Sequence, residues 1–482
     1  MFFSVYTLGC KLNQLETEAI TDAFCREGFA FVPWNTAARR SAVLRLMVIN
    51  TCTVTSMAEQ KARRFIRKLL REHPAMCLII TGCYAQVEQA ALAALEPSGL
   101  PGRLFVIPGE SKDRLLDLPR LLAGAAQDTL PHLIAAWLDS LSSALLLEEG
   151  DGSFRLQPEN FASHSRAFLK IQDGCDNRCT YCRVSIARGK SRSLAAKEAL
   201  STLASLEERG FAEAVIAGVN ITQYRDAAAD AAAPLDLAGL LDFLLSKTKT
   251  IRIRLSSIEP DWLTGARLAD FSRVLAHPRI QPHFHLSVQS GSAEIITKMG
   301  RSYAPADIER AVALLRSARS DPFLACDIIA GFPGETEADF EKTFALCENA
   351  GFAWIHAFPF SPRPGTAACD FPQKVSERDA ARRLGQLTEL ARKGRRDYIA
   401  RWEGKEVEAI AEAASEPKFQ PLIPAVSGNY LKLLVDSKGE TPPAPGSLIR
   451  CRIIGGQPPA GQMSAGQASA ESRFDARAEV CS

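Results

Sequence analysis

The chain has 482 residues, of which 46% are apolar and 23% charged, and its formal net charge is +2. This length allows two to four domains, and no apolar run approaches the length that a membrane helix needs. The start "MFFSVYTLGC" lacks the basic region of a secretory signal, so we expect a cytoplasmic protein. In that compartment thirteen cysteines are more typical of metal ligands or catalysis than of disulfides.

Residues 1–122 alternate short apolar strands with helix-like stretches. The predicted strands are "MFFSVYTL", "LRLMVINTC", "MCLIITGC" and "LFVIPG", and "NQLETEAITDAFCREG" is typical of a helix. Continuous apolar strands in such an alternation predict a parallel α/β sheet. Cys10, Cys52 and Cys83 each fall at or just after a strand end. Because the loops after parallel strands line one edge of the sheet, we expect these cysteines to converge.

Residues 123–165 mix an apolar helical stretch with a polar linker, and we interpret them as an interdomain connection with room for one docking helix. The α/β alternation resumes over residues 166–403. Six strands are predicted there: "RAFLKIQ", "EAVIAGV", "RIRLSSI", "HFHLSV", "FLACDIIAGF" and "WIHAFPF". Six strands with helical crossovers predict a partly closed parallel barrel.

The composition changes again near residue 404. Over residues 404–455, "KEVEAIAEAA", "GNYLKLLVD" and "SLIRCRIIG" read as short strands between Gly/Pro turns, which predicts a small antiparallel β-barrel. Residues 456–482 have too little apolar surface to fold, and we predict a disordered tail.

The stretch "GCDNRCTYC" places Cys175, Cys179 and Cys182 in a C-x3-C-x2-C pattern. A structural zinc site needs four ligands, and the sequence offers no nearby fourth Cys or His. Three soft thiolates fit a [4Fe-4S] cluster with one open iron better. A zinc site and unrelated buried thiols are the weaker alternatives.

This cysteine loop resembles that of the radical S-adenosylmethionine enzymes. In that family the open iron binds the methionine part of the cofactor, and the reduced cluster cleaves it to a 5′-deoxyadenosyl radical. The resemblance extends to "AGVN", "RLSSIEP", "HLSVQSGS" and "DIIAGFPGETE" at later strand ends, each of which taken singly could be an ordinary turn. It implies S-adenosylmethionine contacts at Gly218, Asn220, Ser257, Glu259, Gln289 and Gly331.

The segments "TLGCKLNQLETE", "INTCTVT" and "TGCYAQ" resemble the N-terminal domain of the methylthiotransferases. The resemblance covers roughly residues 2–454 and follows that family's order of an N-terminal cluster domain, a radical barrel and a small RNA-binding barrel called TRAM. It implies a second [4Fe-4S] cluster on Cys10, Cys52 and Cys83. It also implies S-adenosylmethionine as both methyl donor and radical source for placing a methylthio group at an unactivated C–H bond.

Strings such as "FLKIQDGCDNRCTYC", "RIRLSSIEP" and "FPFSPRPGTAA" are most similar to the branch that modifies N6-threonylcarbamoyladenosine at position 37 of tRNA, next to the anticodon. That branch implies tRNA as partner and no membrane. It implies an electron donor of the flavodoxin or ferredoxin type, and the sequence identifies neither this donor nor the sulfur donor. The alternatives are the isopentenyladenosine branch, the branch that modifies a ribosomal-protein aspartate, and a non-catalytic iron–sulfur RNA-binding protein.

The basic string "ARGKSRS" follows the C-x3-C-x2-C loop. Its residues Arg188, Lys190 and Arg192 are candidate contacts for substrate phosphate or for the cofactor carboxylate. An ordinary surface loop is the alternative interpretation of this segment.

Overall fold

The computed structural model describes residues 1–34, 44–96, 102–126, 128–144, 152–161, 165–226, 234–264, 268–413, 422–437, 442–456 and 474–481. The strands are β1 Phe2–Thr7, β2 Ala30–Phe31, β3 Leu46–Thr51, β4 Cys77–Gly82, β5 Leu104–Val106, β6 Ala167–Lys170, β7 Gln172–Asp173, β8 Arg192–Ser193, β9 Glu213–Ala217, β10 Arg225–Asp226, β11 Leu235–Asp236, β12 Arg252–Leu255, β13 His283–Gln289, β14 Phe323–Ala330, β15 Trp354–Pro359, β16 Glu406–Ala411, β17 Leu422–Ser427, β18 Lys432–Asp436, β19 Leu448–Gly456 and β20 Ala476–Val480.

The α-helices are α1 Lys11–Arg26, α2 Ser56–Glu72, α3 Cys83–Val87, α4 Gln89–Ala93, α5 Leu118–Leu122, α6 Leu130–Ala144, α7 Val184–Arg188, α8 Ala196–Glu208, α9 Leu237–Lys247, α10 Leu268–Leu275, α11 Ala293–Lys298, α12 Pro305–Ala318, α13 Glu337–Ala350 and α14 Glu377–Trp402. Among the residues described, none of these helices is both long enough and apolar enough to cross a bilayer.

The N-terminal domain is a five-stranded parallel sheet in the order β2-β1-β3-β4-β5. Every residue of β3 and β4 is buried because helices cover both faces of the sheet. On one face Phe24 of α1 packs against Phe3 of β1, and on the other Ile66 of α2 packs beside Ile80 of β4. The predicted parallel α/β sheet is confirmed.

The segment predicted to connect the domains contains helix α6. Leu130 and Ile134 of this helix are buried in the same core as Phe3 and Phe24, so α6 belongs to the N-terminal domain. Residues 145–151 and 162–164 of the predicted connection lie outside the described residues.

The central domain contains the six predicted strands in two parallel sheets, β6-β9-β12 and β13-β14-β15. Parallel bridges from Ile253 to Ile280 and from Ile258 to Leu286 join the two sheets into one curved wall. The helices between the strands pack outside this wall, where their leucines share one core with the outward-facing residues of the strands. The partly closed parallel barrel is confirmed.

The C-terminal domain is a closed five-stranded barrel in the order β16-β17-β18-β20-β19. The prediction of a disordered tail over residues 456–482 is wrong for residues 474–481, since β20 lies between β18 and β19 and closes the barrel. Ala476 and Ala478 are buried there, while Arg477 is exposed. A five-residue strand that buries only two alanines has a weak hydrophobic pattern. It forms because the edges of β18 and β19 would otherwise be unpaired. Residues 457–473 fall outside the described part of the chain.

The strand directions of this barrel also differ from the prediction. An all-antiparallel barrel was expected, but β18 and β20 pair in parallel. The parallel pair follows from the position of β20 between β18 and β19, because β20 is antiparallel to β19 and therefore runs in the same direction as β18.

Candidate functional site

Cys10, Cys52 and Cys83, here called the N-terminal trio, lie at one edge of the first sheet. Cys10 immediately precedes helix α1, Cys52 follows β3, and Cys83 opens helix α3 directly after β4. Because β1, β3 and β4 are neighbours in the sheet, their carboxyl ends bring the three side chains together, as the strand ends predicted. Burial, followed by the nearby Cys10, raises the pKa of the Cys52 thiol to about 12.

Two asparagines tie the loops that carry Cys10 and Cys52. Asn13 Nδ2 donates to Asn50 Oδ1 over 2.9 Å and to the Thr51 carbonyl over 3.0 Å. Asn50 Nδ2 donates back to the Asn13 carbonyl over 3.0 Å. Both asparagines are buried, so this reciprocal pair holds the two loops in a fixed relation.

Cys175, Cys179 and Cys182, here called the barrel trio, lie in the loop after β7. Cys175 N donates to the Gly189 carbonyl over 3.0 Å, and Thr180 N donates to the Met299 carbonyl over 3.0 Å. Gly174 has φ +70°, and a Cβ there would collide with the Lys190 carbonyl. These contacts fold the loop back on the start of β8 and on the end of α11.

Two of the predicted cofactor contacts lie beside the barrel trio. Asn220 Nδ2 is 3.4 Å from Glu259 Oε1. Burial raises the pKa of the Cys175 and Cys179 thiols, and the nearby Glu259 carboxylate adds to that increase. Arg301 Nη1 donates to both Glu259 oxygens, over 2.6 and 2.8 Å. Burial nevertheless raises the pKa of Glu259.

Arg301 is a site residue that the sequence analysis missed. Its Nη2 donates to the Tyr181 hydroxyl over 2.7 Å, and its charge partly offsets the burial that raises the pKa of Cys179. It follows α11, 119 positions after Cys182, in a string without a recognisable pattern. Only the fold brings Arg301 to the cysteine loop.

The other predicted cofactor positions have local structural reasons for their residue types. A Cβ on Gly218 would lie 2.8 Å from Ile221 Cγ2, and a Cβ on Gly331 would lie 2.7 Å from Ala380 Cβ. Gln289 is buried at the end of β13 with φ +62°, and Ser257 is half-buried just after β12. Cofactor contact at these four positions stays a prediction.

The chemistry of both trios fits iron–sulfur ligation. Backbone N–H groups of Val54 and Val184 donate to the sulfurs of Cys52 and Cys182, over 3.5 and 3.4 Å. Hydrogen bonds to sulfur are typical of cluster ligands, whose thiolates are acceptors. Within the described ranges, no group of three or more His, Cys, Asp or Glu is arranged to hold a single metal ion. A cubane instead distributes its thiolates over separate irons.

Arg188 lies between the two trios and has partners that the sequence analysis did not anticipate. Its side chain is 6% exposed and donates from Nε to Cys83 Sγ over 3.3 Å. Nη1 donates to Glu16 over 2.9 Å and to Asp173 over 3.0 Å. These partners are two carboxylates and a sulfur of the chain itself, and contact of Arg188 with phosphate or with the cofactor carboxylate stays a prediction.

Glu16 is the centre of a buried charge network that spans both domains. Besides Arg188, it binds Lys112 Nζ over 2.6 Å and Lys170 Nζ over 3.8 Å. Burial alone would raise the pKa of Glu16, but Arg188, Lys112 and Lys170 outweigh it and lower that pKa to about 2. The carboxylate is therefore ionised at neutral pH and stabilises the three cations around it.

A cavity of about 570 Å³ opens between the N-terminal domain and the barrel. Cys83 lines it together with Arg188, Lys190 and Arg192, so all three predicted substrate contacts reach one space. This volume lies in the range of small-molecule pockets.

A second buried network crosses the same interface at Glu59 of α2. Glu59 forms an ion pair with Arg363 and accepts from Thr53 Oγ1 over 2.6 Å. Arg183 Nη1 lies 3.4 Å from Glu59 Oε1. Thr53 directly follows Cys52 and Arg183 directly follows Cys182, so one carboxylate ties the neighbours of both trios.

Two family models match the chain. The model described as the radical SAM superfamily matches residues 169–347, which contain the barrel trio. The model described as uncharacterized protein family UPF0004 matches residues 3–100, which contain the N-terminal trio.

Curated relatives match over nearly the whole chain. A threonylcarbamoyladenosine tRNA methylthiotransferase of Treponema pallidum is 40% identical, covering 93% of this chain and 97% of the relative. One of the same name from Thermotoga maritima is 34% identical, covering 85% and 86%. A tRNA-2-methylthio-N(6)-dimethylallyladenosine synthase of Anaeromyxobacter is 31% identical, covering 93% and 92%. The chain therefore belongs to the radical S-adenosylmethionine methylthiotransferase family, within its threonylcarbamoyladenosine branch.

Proposed function

We propose that this protein converts N6-threonylcarbamoyladenosine at position 37 of tRNA to its 2-methylthio derivative. The relatives with that name support the substrate, since they match along both cysteine-bearing domains. The observation that carries the proposal is the interface itself. Each of two domains presents a thiol trio there, and Arg188, six residues after Cys182, binds the sulfur of Cys83.

Two [4Fe-4S] clusters and S-adenosylmethionine, when bound, supply radical formation at one trio and the sulfur group at the other. Cys175, Cys179 and Cys182 would hold the radical cluster, and Cys10, Cys52 and Cys83 would hold the second. The chain holds the two trios in a fixed relation through the buried networks of Glu16 and Glu59. Water would have to be excluded from the space between them, because a carbon radical reacts with any nearby hydrogen donor.

The protein's own side chains position the cofactor and the substrate. Asn220 and Glu259, held by Arg301, would bind the methionine part of S-adenosylmethionine, and Gly218, Ser257, Gln289 and Gly331 would contribute the other contacts. Lys190 and Arg192 are exposed beside the cavity, where they would contact the RNA backbone. Electrons come from a flavodoxin- or ferredoxin-type donor.

The test is mass spectrometry of tRNA nucleosides from a deletion strain complemented with variants. Wild-type protein restores 2-methylthio-N6-threonylcarbamoyladenosine, whereas Cys52→Ala and Cys179→Ala leave the unthiolated nucleoside. Cys25→Ser is the matched control, because Cys25 is an exposed cysteine outside both trios and its loss leaves the modification intact. Full methylthiolation by Cys52→Ala would show that the second cluster assignment is wrong.

A second candidate substrate is isopentenyladenosine, since relatives named for dimethylallyladenosine match 93% of the chain. The same mass spectrometry of tRNA nucleosides distinguishes the two substrates, because their methylthio derivatives differ in mass. Mass spectrometry of ribosomal proteins from that strain tests the aspartate branch. Retention of both tRNA modifications in the deletion strain overturns the proposed function.

A further inference from the structure

Helix α7 connects the two trios and has an arginine at each end. Arg183 lies between Cys182 and the helix, and Arg188 is its last residue. Both side chains are buried, with 7% and 6% exposed, and both bind carboxylates of the N-terminal domain. Arg183 binds Glu59 and Glu88, over 3.4 and 3.0 Å, whereas Arg188 binds Glu16.

The two arginines differ in one respect that concerns the cluster site. Arg188 Nε donates to Cys83 Sγ over 3.3 Å, whereas the hydrogen bonds described for Arg183 go to carboxylates alone. The remaining Arg188 donors are fixed by Glu16, Asp173 and the Asn13 side-chain oxygen. Because these partners hold both ends of the guanidinium, its Nε–H is aimed at the sulfur and cannot easily turn away.

An N–H donated to a ligand thiolate has a known effect on an iron–sulfur cluster. The cluster gains one negative charge on reduction, and that charge is delocalised onto the sulfurs. A cationic donor on the sulfur therefore stabilises the reduced form more than the oxidised form, which raises the reduction potential. Burial strengthens this effect because solvent screens it little.

We propose that Arg188 is a positioning residue of the N-terminal cluster site and that its hydrogen bond to Cys83 raises the reduction potential of that cluster. This inference rests on the proposed function, because it needs the N-terminal trio to bind a cluster. It assigns Arg188 a role different from substrate binding. It also gives the two arginines of α7 separate tasks, since both join the domains but only Arg188 tunes the metal site.

The experiment uses the full chain with Cys175, Cys179 and Cys182 replaced by alanine, so that only the N-terminal cluster assembles. Anaerobic reconstitution is followed by iron analysis and by a redox titration monitored by electron paramagnetic resonance. Arg188→Gln, Arg188→Lys and the matched control Arg183→Gln are compared in this background. Arg188→Lys keeps the charge near Glu16 but removes the Nε–H, and it is the milder variant if Arg188→Gln fails to load iron.

We expect Arg188→Gln to shift the midpoint potential to more negative values, Arg188→Lys to shift it by a smaller amount in the same direction, and Arg183→Gln to leave it unchanged. The inference is overturned if Arg188→Lys keeps the parent potential, or if Arg183→Gln shifts it as much as the Arg188 variants. If the parent binds no iron, the proposed function fails as well. If the parent binds about four irons per chain and all variants have the same midpoint potential, only this inference is overturned.

Discussion

Arg363 and Glu59 form an ion pair across the domain interface, with side chains only 2% and 9% exposed. Glu59 also accepts from Thr53 and lies next to Arg183, so the residues that follow Cys52 and Cys182 share one carboxylate. Glu59 is therefore one of the side chains that hold the loops of the two trios together, as is Glu16 through Arg188.

Glu59→Gln should destabilise the interface strongly. The substitution leaves two buried arginines without their shared countercharge, and removing one member of a buried pair typically costs about 3–5 kcal/mol. Urea unfolding measures the loss of free energy. Glu389→Gln is the control, because Glu389 and its partner Arg392 are 66% and 58% exposed, and such a pair contributes about 1 kcal/mol or less. Equal stabilities for the two variants would contradict the structural role of Glu59.

Gly82→Ala should prevent the N-terminal trio from loading iron. Gly82 has φ +98°, and a Cβ there would collide with the backbone of Thr51, next to Cys52. Relief of that collision moves Cys83 or Cys52. Gly28→Ala is a matched control, since Gly28 also has a positive φ, +81°, but no atom lies within 4 Å of the added Cβ. Iron content after anaerobic reconstitution checks this, and equal loading of both variants would show that the close approach is unimportant.

The fold was largely predictable because its strands are apolar and well separated by helices. The six barrel strands and the strands that carry Cys52 and Cys83 all formed as expected, since buried parallel strands leave continuous apolar runs. The positions of Cys10, Cys52 and Cys83 followed from topology alone. The sequence did not predict strand β20, because the strand forms by pairing with two open edges and its own composition gives little signal.

The partners of the site were less predictable than its cysteines. Arg188, Arg301 and Glu16 act through contacts between segments far apart in sequence, and a charged residue is normally expected on the surface. The sequence placed Arg188 in a basic loop open to phosphate. Three-dimensional packing instead buries it against Glu16, which no local pattern indicates.

Stability should fall at acidic pH through Glu16. The pKa of Glu16 is lowered from 4.5 to about 2 by Arg188, Lys112 and Lys170, against the effect of burial. Between those pH values the unfolded chain binds more protons than the folded one, so the stabilisation present above pH 4.5 is lost as the pH falls toward 2. Urea unfolding of cluster-free protein measures the loss. It is carried out at about pH 6, above this range, and at about pH 3, within it. Glu16→Gln should show a weaker pH dependence than the parent, and identical slopes would contradict this.

Ala478→Asp should open the C-terminal barrel without disturbing the two trios. Ala478 is 1% exposed and belongs to the core that contains Leu433 and Ile453, so a carboxylate there would be buried without a countercharge. Its neighbour Arg477 is exposed, and Arg477→Ala should change stability far less.

Limited proteolysis detects the opening, and iron content reports on the cluster domains. Cleavage within residues 404–481 together with unchanged iron loading is the expected result, since β20 pairs only within its own barrel. Loss of iron in Ala478→Asp would instead show that the C-terminal barrel supports the cluster sites, through contacts such as those of Arg254 with the Ser427 and Gly428 carbonyls.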